Sequence, residues 1–209
     1  MLCSMGVLRR GHLVEADRAS LVAGYSGQTA IKTTACVESA LGGVLFVDEA
    51  YALVRDERDS FGREALDTLL KLMEDARDDV VVILAGYVDE IDQLLTVNPG
   101  LRSRFPTSID FPDYSADELR RIADGILDGE QLKIDDDGAV ALDAVCADLA
   151  RGEGGNRVNG NGRAVRNLIE QAKRRQALRL AALDTSKSDM DDPQWLMLLT
   201  AHDIRGGTE

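Results

Sequence analysis

Asp48 and Glu49 stand side by side at the end of an apolar run, Gly42-Gly43-Val44-Leu45-Phe46-Val47. The glycine pair releases the chain from what precedes it, and the run after it has the texture of a strand buried on both faces, as in a parallel sheet. Its charge then lies at the carboxyl edge, where open α/β sheets bind their ligands. Adjacent carboxylates there suit phosphoryl transfer: Asp48 can hold a hydrated magnesium ion and Glu49 can polarise an attacking water. The same octapeptide also fits a core strand whose Asp48 merely caps the next helix. The rest of the chain has to decide between the two.

Other side chains with chemical potential are scattered. Tyr25 sits in Gly24-Tyr25-Ser26-Gly27, and an aromatic among glycines is costly to bury in a regular element, so display on a mobile loop is expected; local packing in an ordinary turn is the alternative. Arg102 and Arg104 follow Asn98-Pro99-Gly100, a turn by composition. Surface charge is the ordinary fate of such arginines. Arg163, Arg166, Lys173, Arg174 and Arg175 form a basic cluster in an otherwise acidic chain. Cys3, Cys36 and Cys146 are too far apart for a metal site or a disulfide framework, and His12 and His202 lack partners at ligand spacing.

The elements that must position these groups are readable from periodicity and turn chemistry. The chain opens with what reads as the tail of a helix ending near Gly6 and a short strand at His12–Glu15. Asp17 offers an N-cap for a turn from Arg18 to Ala23, and a helix runs from Thr29 to Leu41. After Asp48-Glu49, Arg55 to Ser60 reads as a solvated loop. Gly62 to Arg77 is the clearest amphipathic helix, with Ala65, Leu66, Leu69, Leu70 and Met73 on one face. Val80–Ala85 is a second apolar strand of a covered parallel sheet, then a short helix from Asp89 to Thr96 and a third strand at Thr107–Phe111. Beyond Pro112 only helices are expected: Ala116–Leu127, Gly138–Ala150 and Gly162 to about Leu183, the last preceded by the flexible Gly/Asn-rich stretch from Gly152 to Gly162.

With 209 residues, 44% apolar, there is material for one large domain or a medium one with a smaller companion. The net charge of −13 disfavours nucleic acid or anionic membrane as a non-specific partner. No stretch is long and apolar enough for a membrane span, and residues 1–10 lack a secretory core, which points to the cytoplasm.

Taken in order, LVAGYSGQTAIKT, GGVLFVDEAYAL, VVVILAGY, NPGLRSRFPTSIDFPDY and GNGRAVRN resemble the AAA+ ATPases, in the branch of the rubisco activase CbbX, the sporulation protein K group and the type VII secretion protein EccA. The resemblance extends from about Gly6 to Ile204. It implies a three-layer α/β core with a parallel sheet over residues 1–113 and a helical lid over 114–209. It further implies ATP and Mg²⁺, identical subunits in a ring, hexameric by family habit, and a protein substrate that is remodelled or threaded. By position, Asp48 and Glu49 match the Walker B acids, metal-associated and water-activating. Tyr25 matches the aromatic pore-loop residue, with Gly27 giving that loop its mobility. Arg102 and Arg104 match the region of the arginine finger, Arg104 being preferred. Arg163 matches the sensor 2 arginine, Arg166 supports it, and Tyr87 falls where many relatives have a polar sensor 1 residue.

One departure stands out. Nothing in residues 1–41 fits G-x-x-x-x-G-K-[ST], the loop whose amides and lysine cradle phosphate. An amino-terminally truncated ATPase subunit is therefore expected, lacking the family's first strand and phosphate loop. The alternative is a non-hydrolysing assembly module that has lost its own nucleotide. A relative of the clamp loaders, acting on nucleic acid, is disfavoured by the charge.

Overall fold

The computed structural model describes residues 4–25, 27–56, 58–152, 161–182 and 195–206. They fall into two compact units, Met1–Asp110 and Phe111–Glu209, each with its own apolar core.

Among the described residues the first unit is built on three parallel strands, β1 (Leu13–Ala16), β2 (Val44–Val47) and β3 (Val81–Leu84), in the order β1-β2-β3. Register places Leu13 and Val81 beside Val44, and Ala16 and Leu84 beside Val47, so all three strands end on one rim. Only β2 is covered as its composition demands, with Val44, Leu45 and Val47 buried. β3 is half-buried and Ile83 is exposed, because β3 is the outer strand of the sheet among the described residues.

The helices follow from caps and periodicity. Asp17 takes the amide of Ser20 at 2.7 Å and opens α1 (Arg18–Leu21). α2 spans Thr29–Ser39 and gives way to Gly42, whose φ of 83° suits only glycine without strain. α3 (Ser60–Asp75) buries Ala65, Leu66, Leu69 and Leu70, the face that its spacing marks. α4 (Val88–Val97) and α5 (Pro99–Arg104) complete the unit.

The structure departs from the sequence pattern in several places. Thr107–Phe111 is not a strand: Ile109 and Phe111 are 74% and 89% exposed. A strand needs a ladder, and no described strand lies beyond β3 to lead toward one. Asn98-Pro99-Gly100 is a helix start rather than a plain turn, since the Asn98 carboxamide oxygen accepts the Gly100 amide at 2.8 Å. Arg102 and Arg104 consequently stand on α5. Nor is all of Arg55–Ser60 solvated. Asp59 is drawn inward, its side chain 9% exposed, to bind Arg18 at 2.6 Å and to cap α3 through Gly62 at 2.9 Å.

That carboxylate has a measurable signature. The Arg18 hydrogen bond, against the desolvation that pushes it up, holds the Asp59 carboxyl down at about 2, with the amides of Gly62 and Arg55 assisting. Its unfolded value is about 3.9, so the stabilisation is complete above roughly pH 4 and is lost as pH falls toward 2; the gap is worth on the order of 2 kcal/mol. Thermal melts of Asp59→Asn are expected to show a lower Tm at pH 7 and a shallower loss of stability between pH 4 and 2 than the parent. Equal acid slopes would refute it.

The second unit packs α6 (Ala116–Gly129), α7 (Asp136–Arg151), α8 (Asn161–Ala181) and α9 (Ala201–Arg205) around Leu119, Leu142, Ile169 and Ile204. Ser115 and Glu118 form a capping box on α6. Contrary to expectation there is, among the described residues, a strand pair, β4 (Lys133–Ile134) with β5 (Leu198–Leu199), parallel and only two residues long. It is too short to leave a period in the sequence. Buried Asp203 holds β5 and α9 together: it accepts the Thr200 amide at 2.9 Å and pairs with Arg179 at 2.8 Å. The basic cluster on α8 is partly structural for the same reason. Lys173 pairs with Glu130 at 2.6 Å, and Arg175 donates to the Asp203 carbonyl at 2.9 Å. Most of the Gly/Asn-rich stretch, residues 153–160, lies outside the described residues.

Candidate functional site

The carboxyl rim of the sheet is where the chemistry collects. Asp48 follows β2 directly, and its amide still bonds to the Ala16 carbonyl at 2.8 Å, so the ladder carries it to the rim in fixed register. Its carboxylate Oδ1 accepts the Glu49 amide at 3.0 Å. Glu49 turns sharply out of the strand with φ 47° and ψ 45°, a left-handed conformation that a non-glycine residue adopts at a cost of roughly 1–2 kcal/mol. Strain of this kind gathers at functional sites, where the surrounding structure enforces it. The enforcement is visible: Ala50 donates to the Ala85 carbonyl at 2.9 Å, and Ala52 to the Glu49 carbonyl at 2.7 Å, starting a 3₁₀ turn over Ala50–Leu53. Both carboxylates are exposed.

Tyr87 reaches the same rim from β3, at the start of α4, and its ring lies 6.2 Å from that of Tyr51, centroid to centroid. Tyr51, on the 3₁₀ turn, is a neighbour that the residue types did not single out. Desolvation pushes its phenol up, and the Glu49 carboxylate adds to this by charge and by hydrogen bonding. Gly86 makes room for the pair, since a methyl group there would sit 2.8 Å from Tyr51 Cδ1.

Other candidates are placed elsewhere in the first unit. Tyr25 is 75% exposed in a turn closed by the Gln28 amide on its carbonyl at 3.3 Å, and Gly27 has φ 79°. Arg102 is exposed on α5. Arg104 is held by Glu74 near the end of α3, Nε to Oε2 at 3.5 Å, and by the Gly100 carbonyl at 3.4 Å. Asp59, capping the other end of α3, is 15 residues from Glu74, about 22 Å along a helix at 1.5 Å per residue. Arg104 is thus tethered near the end of α3 opposite the one that Asp59 caps. In the second unit, Arg163 and Arg166 are both exposed on the first turns of α8.

The donor set fits the hydrolytic end of a magnesium-bound triphosphate. Asp48 spends one oxygen on an amide and presents the other to solvent, which suits a cation that keeps most of its water. Among the described residues no group of three or more His, Cys, Asp or Glu forms a cage for a bare ion.

Comparison with known proteins gives the same outline. Residues 4–113 match the family described as ATPase family associated with various cellular activities (AAA), and residues 115–209 match the AAA lid domain. Stage V sporulation protein K of Bacillus subtilis is 46% identical over 187 residues, which covers 89% of this chain and 58% of that protein. Protein CbxX (plasmid) of Cupriavidus necator is 45% identical over 98% of this chain and 62% of its own length. The ESX-1 secretion system protein EccA1 of Mycobacterium tuberculosis is 46% identical over 91% of this chain and 35% of its own length. The chain thus spans less than two thirds of the length of these relatives. Among solved structures, a mutant of Thermotoga maritima RuvB superimposes with a TM-score of 0.56 at 18% identity, covering 92% of this chain and 51% of that one, a likeness of fold alone.

Proposed function

Since the chain belongs to the AAA family of ATPases, we propose that it is the hydrolysing and substrate-gripping part of a subunit that remodels or threads a protein partner using ATP. The observation that carries this is the acid pair on the sheet rim, with Glu49 forced into a left-handed turn. Asp48 would hold hydrated Mg²⁺, which neutralises charge on the phosphates when bound. Glu49 accepts the proton of the attacking water, and its fixed backbone aims the carboxylate before substrate arrives. Tyr51 and Tyr87 wall the rim beside it. Arg104, with Arg102 beside it, serves the site of a neighbouring identical subunit in a ring, most simply a hexamer, and Arg163 with Arg166 responds to the γ-phosphate from the lid. Tyr25 grips the polypeptide, and Gly27 lets its loop swing. The reaction belongs in the cytoplasm, where ATP and folded clients are both at hand.

Phosphate binding needs a cradle that residues 1–41 do not contain. A subunit carrying such a loop is therefore the form in which hydrolysis is tested. One measurement tests the gripping role. In a subunit carrying a phosphate loop, Tyr25→Ala is expected to lower the amount of partner remodelled per ATP hydrolysed by about tenfold or more, the scale of losing an aromatic anchor. An unchanged ratio removes Tyr25 from the mechanism.

A second reading is a non-hydrolysing assembly module that keeps its interface arginines and lid. Titration of the protein isolated from its own cells, rather than of residues 1–209 alone, with a fluorescent ATP analogue separates the two. Micromolar binding supports the enzyme, and no binding supports the module.

A further inference from the structure

Arg18 stands seven residues before Tyr25, yet its guanidinium is committed to the segment that follows the acid pair. It donates to the Ala52 carbonyl at 3.1 Å, to the Leu53 carbonyl, and to both oxygens of Asp59 at 2.6 and 3.2 Å. The Arg18 and Asp59 side chains are only 18% and 9% exposed. Asp59 passes the connection on through the amides of Arg55 at 3.1 Å and Gly62 at 2.9 Å. Gly62 allows the close approach: a methyl group there would collide with the Leu53 carbonyl and lie 3.0 Å from Arg18 Nη1. On the other side, the Val22 amide returns to the Arg18 carbonyl at 2.8 Å, and Lys32 ties Ala19 to α2 at 2.5 Å. Ala23, two residues before Tyr25, donates to Thr29 at 3.2 Å. A chain of bonds thus runs from the 3₁₀ turn that follows Glu49 to Ala23, two residues before Tyr25.

We propose that Arg18 is a positioning residue that binds these two turns into one mechanical unit, so that a shift of the segment after Glu49 is delivered to Tyr25. The coupling rests on Glu49 and Tyr25 having the hydrolytic and gripping roles given above. Its chemistry explains the residue type. A planar fork can serve two carbonyls and both oxygens of a carboxylate at once, whereas an ammonium is a single point of charge. A bond that only glued the fold together would affect stability and leave the yield of work per ATP alone.

The test is Arg18→Lys in the complete subunit, read in two ways. By amide hydrogen exchange, the Val22, Ala23 and Arg55 amides are expected to exchange about tenfold faster together, the scale of losing charge-assisted bonds, while the Asp48 amide keeps its rate. In turnover, remodelling per ATP hydrolysed is expected to fall about tenfold with ATP hydrolysis itself within about twofold of the parent. Unchanged remodelling per ATP, or acceleration of Arg55 without Val22 and Ala23, overturns the proposal. If Arg18→Lys does not fold, Asp59→Asn, which keeps an oxygen to cap α3, is put through both readouts with the same expectations. If the parent subunit hydrolyses no ATP, the enzymatic reading has failed, and the exchange experiment still decides whether Arg18 joins the two turns.

Discussion

Glu49→Gln in a subunit bearing its phosphate loop is expected to cut ATP turnover by about two to four orders of magnitude, the usual worth of a positioned general base, while ATP remains bound. The substitution keeps the size of the side chain and a non-glycine backbone at φ 47°, so the turn into Ala50–Leu53 survives. What it removes is the proposed acceptor for the proton of the attacking water. Single-turnover phosphate release and retention of labelled ATP measure the two halves separately. Turnover within about threefold of the parent would show that some other group takes the proton, since a factor of three is only about 0.6 kcal/mol of barrier.

Arg104→Ala is expected to lower turnover by about three orders of magnitude or more, as removal of an arginine finger does. On the proposed reading it works for a neighbouring subunit. Arg104 is tied to Glu74 at one end of α3, and Asp59, bonded through Arg18 to the segment after Glu49, caps the other end. A side chain tethered at that end of α3 is proposed to serve a neighbour's acids rather than its own. Mixing Arg104→Ala with Glu49→Gln subunits should therefore restore part of the turnover, because some interfaces then combine an intact Glu49 with an intact Arg104. No recovery on mixing would sink the trans assignment, and full activity of Arg104→Ala with loss in Arg102→Ala would transfer the role to Arg102.

Much of this molecule could be read from its residues because the signals were local. The apolar run ending in Asp48-Glu49 specified β2 and its rim, and Asp17 opened α1 by ordinary capping. Ala65, Leu66, Leu69 and Leu70 marked the buried face of α3. What escaped depended on partners distant in the chain. Asp59 looked solvated in a run of charges because Arg18 is 41 residues away. Thr107–Phe111 had the texture of a strand, but texture does not provide a neighbour to pair with. Asn98 was ambiguous for a different reason: the composition that makes a turn also makes an N-cap. Its Asp59-x-x-Gly62 counterpart could have been found by the same capping rule. Tyr51 and the backbone of Glu49 left no periodic trace, since one ring against Tyr87 and one dihedral angle have no spacing to reveal them.

The twist at position 49 sets two kinds of selection against each other. Glycine is a single base change from glutamate and occupies that region of dihedral space freely, so even after its extra freedom in the denatured chain is charged, roughly 0.4–1 kcal/mol, the exchange leans toward a hardier fold. A library sorted for heat resistance alone would drift toward glycine there and be purged of the carboxylate, whereas one sorted on catalysis would hold the costlier residue in place.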